Sequence, residues 1–370
     1  MNAGFLRIIA ASPEDRRGLF LATATRLGTP IQNVEKDFWV SWVLDLLFNG
    51  RDTGEPRLLF KGGTSLSKAY GLISRFSEDI DITVFREDIG QDIQVGDLEG
   101  LSGKQQRLLL EAIKQACQVY IQGTLKARLN RQIEAAFREA GVSLAEVPVV
   151  HDPDDPDQQT LLVRYPSVST GVDEYVKPTV KIEAGAKSAL DPHRSATIQP
   201  YVADDMPAAN LVVPDVVTID AERTFWDKVV ILHGLRRWHD NRGVLRQHGH
   251  RVSRHYYDIY KLTRSLVGQQ SATDHALALD CARHALMFFN SADLDLLHAR
   301  PGSFAITPTP GMVDALRRDY QAMAGMIFGE VPDFAEVLDA IRQLEQAINR
   351  GSPSVRHGMN GKTEHDAPDI

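Results

Sequence analysis

Between Lys61 and Phe85 the chain reads KGGTSLSKAYGLISRFSEDIDITVF, and this stretch limits the possible folds more than any other. The four residues before it, RLLF (57–60), form a short apolar run bounded by turn residues, which predicts a buried strand. The strand runs into Gly62 and Gly63, residues that tolerate positive φ and close backbone approach. Thr64 and Ser65 then open a predicted helix of roughly ten residues, whose first amides are free to hold an anion. Leu66, Ala69, Tyr70 and Ile73 make its apolar stripe, while Lys68 and Arg75 carry charge. DIDITVF (79–85) alternates strictly and predicts a strand with Ile80, Ile82 and Val84 on one face and Asp79, Asp81 and Thr83 on the other. Two carboxylates on one strand face have Cα atoms roughly 6–7 Å apart. Gly62, Gly63, Thr64 and Ser65 thus form a candidate triphosphate cradle beside two hard oxygen ligands. No Gly-Lys-Ser/Thr closes the loop, so it is not a Walker A motif.

Carboxylates combined with phosphate oxygens suit Mg²⁺, and two such ions can activate an attacking hydroxyl and neutralise a leaving pyrophosphate. The expected metal ligands are Asp79 and Asp81, with Glu183 of VKIEA as a third carboxylate from a neighbouring strand. Lys181 shares that face and either pairs with Glu183 or approaches the nucleotide. Lys228 lies in TFWDKVVILH, a helix otherwise rich in apolar residues, where a lysine needs a partner or a purpose. It can neutralise phosphate, or pair with Glu222, Asp227 or Asp258. Arg254 and Asp258 stand four apart, so Asp258 either closes an i,i+4 ion pair or orients Lys228. Tyr256, Tyr257 and Tyr260 can stack a base or fill the core.

The rest of the chain supplies a frame. Over 370 residues, hydrophobic residues are 43% and charged residues 24%, which supports a sizeable core. A net charge of −8 excludes general nucleic-acid binding through the overall field, and leaves room for a local basic patch. LRRWHDNRGVLRQHGHRVSRH (235–255) is such a patch: it can meet RNA phosphates, face solvent, or face a protein partner. Cys117 and Cys281 sit in apolar helical stretches without CxxC spacing, and read as buried free thiols of a reducing compartment. The N-terminus lacks a signal-peptide pattern, and no apolar run approaches the roughly 20 residues a membrane span needs. The expectation is a cytoplasmic protein without a membrane partner. Helices are predicted over 13–27, opened by Ser12 and Pro13, and over about 34–47. Residues 102–140 form a helical insertion closed by Gly141, VPVV, TLLVRY and TVKIEA supply further strands, and helices dominate after about residue 200. This gives a mixed-sheet domain over 1–205 that carries the candidate site, a helical domain over 206–350, and a polar tail over 351–370 expected to be disordered.

The pattern G-G-T-S-L-x-K-x-Y-x-x-x-x-R-x-S-x-D-x-D resembles the first motif of the AbiEii/AbiGii-type toxins, nucleotidyltransferase-like members of type IV toxin–antitoxin and phage-abortive systems. VKIEAGAKS (180–188), ERTFWDKVVILH (222–233) and SRHYYDIYKL (253–262) resemble the second, third and fourth motifs in order. The resemblance spans about residues 30–265. It implies an α+β fold, a DNA-polymerase-β-like nucleotidyltransferase mixed sheet with helices followed by a helical C-terminal domain, with an NTP as substrate and Mg²⁺ as cofactor. Asp79 and Asp81 would bind metal. Gly63, Ser65, Lys68 and Ser77 would line the phosphate side, Lys228 would contact the nucleotide phosphates, and Asp258 would support the site. Some relatives add nucleotides to the acceptor end of tRNA and so block translation. A cognate antitoxin, in some systems a transcriptional repressor, is the implied partner. NMPylation of a protein hydroxyl, or nucleotide binding without catalysis, would use the same motif.

Overall fold

The computed structural model describes residues 2–143, 147–169, 178–246 and 251–350. The expected 351–370 tail lies outside the described residues. Three helices open the chain: α1 (Ala3–Ile9), α2 (Pro13–Leu27) and α3 (Ile31–Phe48). The Ser12 side chain accepts from the Asp15 amide and Pro13 occupies the first turn, so α2 begins where its cap residues place it. β1 (Leu58–Lys61), α4 (Gly62–Lys68) and β2 (Asp79–Val84) follow. α5 (Val95–Glu99) leads into the insertion, where α6 (Gly103–Tyr120) and α7 (Lys126–Glu139) join through one π-helical turn at Ile121–Leu125. The strands β3 (Val149–His151), β4 (Thr160–Arg164), β5 (Thr179–Gly185), β6 (His193–Ile198) and β7 (Val213–Ile219) come next. Helices make up the remainder: α8 (Ala221–Arg242), α9 (Ser253–Thr263), α10 (Leu266–Ser271), α11 (His275–Phe288), α12 (Pro310–Met323) and α13 (Phe334–Asn349).

Among the described residues the seven strands form one mixed sheet in the order β3-β4-β5-β2-β1-β7-β6. β1 pairs antiparallel with β2 and parallel with β7, and β2 pairs parallel with β5. The mixed sheet with helices is the α+β class expected. The sheet reaches beyond residue 205, because β7 lies between β1 and β6; the change to helices falls after Ile219. β6 and β7 carry no clean alternation: β6 is mostly exposed, and β7 contains Pro214 and a positive-φ Asp215.

Apolar packing falls into two main clusters. The first gathers Trp39, Trp42, Phe60, Ile80, Ile82, Ile133 and Phe137 around α3, the buried sheet face and the insertion. The second gathers Phe225, Trp226, Tyr256, Tyr257, Ile341 and Leu344 from α8 onward, and it also takes in Leu66 and Ile73 from the segment between β1 and β2. The three tyrosines of α9 are core residues, the packing alternative for that motif. No helix among the described residues is long and apolar enough to cross a membrane.

Candidate active site

β2 sets the geometry. Its alternation buries Ile80 and Ile82 completely, which turns Asp79 and Asp81 to the opposite face. The parallel register aligns Asp79 with Lys181 and Asp81 with Glu183. Both aspartates open onto a cleft of about 500 Å³. Its wall is shared between the β1–β2 segment, the end of β5, and α8, α9 and α11, with Lys61, Gly62, Gly63, Arg75, Ser77, Glu183, Asp227, Lys228 and Arg254 among its polar and charged members.

The glycine pair has a specific steric cause. Gly62 has φ +79°, and a Cβ there would stand 2.1 Å from the Asp81 carboxylate. A Cβ on Gly63 would stand 2.5 Å from Arg75 Nη2. Both positions therefore bring backbone against functional side chains, Asp81 from β2 and Arg75 from the loop before it. The Thr64 hydroxyl bridges Ser77 Oγ (2.8 Å) and the Asp79 carbonyl, tying the start of α4 to the start of β2.

Behind the aspartates lies a buried ionic knot. Arg75 donates through Nε and Nη2 to the two oxygens of Asp258 at 2.7 and 2.9 Å, and Lys228 Nζ lies 2.9 Å from the same carboxylate. All three side chains are almost fully buried. Two cations hold the Asp258 carboxyl far below the ordinary carboxylate range despite its burial. Burial pushes Lys228 down, and Asp258 opposes that shift. Asp258 thus bonds Lys228 and Arg75; of the two contacts open in the sequence, the structure selects the one to Lys228 over the i,i+4 pair with Arg254. Arg75 is the residue that sequence reasoning underweighted. Its signal was present, as the arginine of the R-x-S-x-D-x-D pattern, but nothing in the spacing tells that a residue between a helix and a strand will reach a carboxylate 183 positions away.

The negative charge is concentrated on the other side. Burial pushes Asp79 up to about 6, with Glu78 and Glu183 adding repulsion and Arg251 opposing. Burial also raises Asp81, against the pull of Lys61. Glu78 is held by Lys36 at 2.7 Å and by Arg251 at 3.0 Å, and Arg251 lies 3.4 Å from Asp79. Glu183 faces the cleft with its carboxylate 2.8 Å from Lys181 Nζ. Among the described residues no three His, Cys, Asp or Glu side chains converge as a ready-made cage for an ion. The expected three-carboxylate set is therefore not assembled, because Lys181 and Arg251 draw on Glu183 and Asp79. The remaining donor set still fits a hard divalent cation. Mg²⁺ takes one or two protein carboxylates and completes its shell with water and substrate phosphates, and a crowded pair of raised carboxyls favours a cation over ionisation alone.

Four residues expected to touch the nucleotide do not line the cleft. Thr64 is occupied as described, and Ser65 Oγ donates to the Gly62 carbonyl at 2.9 Å. Lys68 pairs with buried Asp37, donates to the Gln199 carbonyl at 3.0 Å and covers the Tyr201 ring, so the charge on α4 anchors that helix to α3. Lys181 is spent on Glu183 and, at 3.4 Å, Asp152. Gly62, Gly63, Ser77, Asp79, Asp81, Glu183 and Lys228 do line it, with Asp258 directly behind Lys228.

A family model described as nucleotidyl transferase AbiEii toxin, type IV toxin–antitoxin system, matches residues 45–343. The chain belongs to the AbiEii family. The protein is accordingly a nucleotidyltransferase toxin of a toxin–antitoxin system, and the matched span contains β1, β2, the ionic knot and every cleft residue named above. Comparison with solved structures finds MenT4, a nucleotidyltransferase toxin from Mycobacterium tuberculosis H37Rv, at 16% identity with a TM-score of 0.43, covering 90% of this chain and 97% of that one. A search of curated proteins returns no match.

Proposed function

We propose that this AbiEii protein transfers a nucleotide from an NTP to an RNA hydroxyl, at the acceptor end of a tRNA, with Mg²⁺, and so blocks translation. The observation that carries the reading is the pair Asp79 and Asp81, side by side on one strand face, opening onto a cleft that Lys228 also lines. Asp79 and Asp81 would hold the metal, with Glu183 within reach of the same charge cluster. The ion, when bound, would draw charge from the phosphates and lower the pKa of an attacking hydroxyl.

The chain's own residues do the rest. Gly62 and Gly63 present backbone without side chains, and Ser77 offers a hydroxyl on the same wall, so phosphate oxygens can approach. Lys228 supplies positive charge to phosphates, and Asp258 together with Arg75 fixes where that ammonium stands. Phosphoryl transfer needs little covalent help, so positioning and charge neutralisation supply most of the rate. Arg246 and Arg254 line the cleft, which supports an anionic acceptor there. The family implies a cognate antitoxin; we place a transcriptional repressor in that role.

Incubation with α-³²P-NTP, total RNA and Mg²⁺ tests the reading. Label on RNA supports it, and label on protein replaces the acceptor with a protein hydroxyl. Label on neither overturns catalysis and leaves a nucleotide-binding module. Asp79→Ala controls for contaminating activity, and EDTA must abolish the transfer.

A further inference from the structure

The cleft has a second end, whose chemistry is unlike the ionic one. α8 runs along its length with Thr224, Asp227, Lys228, Ile231, Gly234 and Leu235 on one face. Nearly one turn beyond Lys228 on that helix, an axial rise of about 4.5 Å, Ile231 makes the wall apolar. Ile231 and Phe289 line it while 41% and 48% exposed, so both offer apolar surface to a ligand. His284 stands beside Phe289. Its ring centroid is 6.0 Å from that of Phe289, and it stacks on Phe288 at 4.5 Å. It is only 6% exposed, lines the cleft, and its Nε2 is buried without a hydrogen-bond partner.

The protonation of that ring follows from its surroundings. Burial, then Arg223 and Arg86, push His284 down to about 3, so it is neutral. The backbone bond at Lys187 acts in the opposite direction, so the ring donates there to a carbonyl. With Nε2 unpartnered, that donor is Nδ1, and Nε2 is left as a bare acceptor. A buried acceptor without a partner costs free energy until a donor reaches it.

We propose that this end of the cleft is the nucleobase subsite, with Phe289 and Ile231 as the apolar platform and His284 as the specificity-determining residue that accepts from an exocyclic amino group. The subsite takes adenine or cytosine in preference to their keto counterparts. It rests on the nucleotidyl-transfer reading of the same cleft.

Calorimetric titration of the full chain with ATP, ITP, CTP, UTP and inorganic tripolyphosphate, each with Mg²⁺, tests it. ATP should bind about tenfold more tightly than ITP, or CTP than UTP. His284→Leu should reduce that ratio to about one without changing tripolyphosphate affinity. Phe289→Ala, at an exposed position that does not endanger folding, should weaken every NTP about tenfold and leave tripolyphosphate unchanged. Wild-type protein that binds each amino and keto partner equally, or a ratio that survives His284→Leu, overturns the role of His284. NTP affinities unmoved by Phe289→Ala overturn the subsite. Lys228→Ala separates the two readings: if it leaves both tripolyphosphate and NTP binding intact, the phosphate site itself is misplaced, whatever the base contacts do.

Discussion

Two aspartates carry opposite electrostatic loads. Asp258 is a buried anion with two cationic partners, and removing it leaves Arg75 and Lys228 as uncompensated buried charges. Asp258→Ala should therefore cost about 3–5 kcal/mol, read by urea denaturation. Its pKa is depressed in the fold, so the unfolded chain takes up that proton first. The stabilisation is present above the unfolded carboxyl pKa of about 3.9 and is lost as pH falls below it. Asp258→Asn should flatten the acid limb of the stability curve by about one proton. Asp79 is the reverse case, a carboxylate crowded by Glu78 and Glu183 and raised to about 6. Asp79→Asn should stabilise the divalent-free protein at pH 7 by on the order of 1–2 kcal/mol while abolishing nucleotide transfer. In the same melting experiment wild type should gain Tm on addition of Mg²⁺ and NTP, and the variant should gain little. A variant less stable than wild type would show that Asp79 is held by favourable contacts and not crowded.

At the scale of elements, the strand–glycine–strand unit was legible because its signals are local. β2 is set by strict alternation, and its aspartates face one way for the same reason that Ile80 and Ile82 face the other. β1 was legible as a short apolar run, and α2 from its Ser-Pro start. α4 proved shorter than its apolar stripe implied. Gly71, at φ +62°, turns the chain out three residues beyond the helix end, and Ile73 then packs in the second core. What could not be read was the use of charge across the fold. Lys68 looks like any phosphate-facing lysine until α3 brings Asp37 to it, and Lys181 until β5 sets Glu183 two residues along and the turn after β3 brings Asp152 to it. The glycines make the element-scale prediction sharp. Gly62→Ala meets both a positive φ and the Asp81 carboxylate, so it should cost about 1–3 kcal/mol and abolish transfer. Gly71→Ala, also at positive φ but with nothing within 4 Å of the added carbon, should cost about 1 kcal/mol and retain activity. Equal loss of activity in both would show that α4 geometry, and not the approach of Asp81, makes the first glycine necessary.

At the scale of the whole molecule, the sequence shows a change of texture at about residue 205, and the sheet does not respect it. β7 enters from beyond that point to lie against β1, and it supplies the paired edge of β6. The segment between β1 and β2 crosses in the other direction. Leu66 and Ile73 pack in the helical cluster, the Phe76 amide donates to the Met326 carbonyl at 2.7 Å, the Phe328 amide donates to the Ser74 carbonyl at 2.8 Å, and Arg75 is neutralised by Asp258. The cleft exists only where these crossings hold α8 and α9 against β2. A chain ending at residue 205 should therefore fail to fold: it exposes an edge of β1 and leaves Arg75 buried without a counter-ion or exposed with its apolar neighbours. Extending it to Asp220 restores β7 but not Asp258. We expect neither fragment to give a cooperative thermal transition by far-UV circular dichroism, and the chain ending at Arg350 to give a single one. A cooperative transition in the fragment ending at residue 205 would mean that the sheet is stable without β7, and that the two halves are joined by the ionic knot alone.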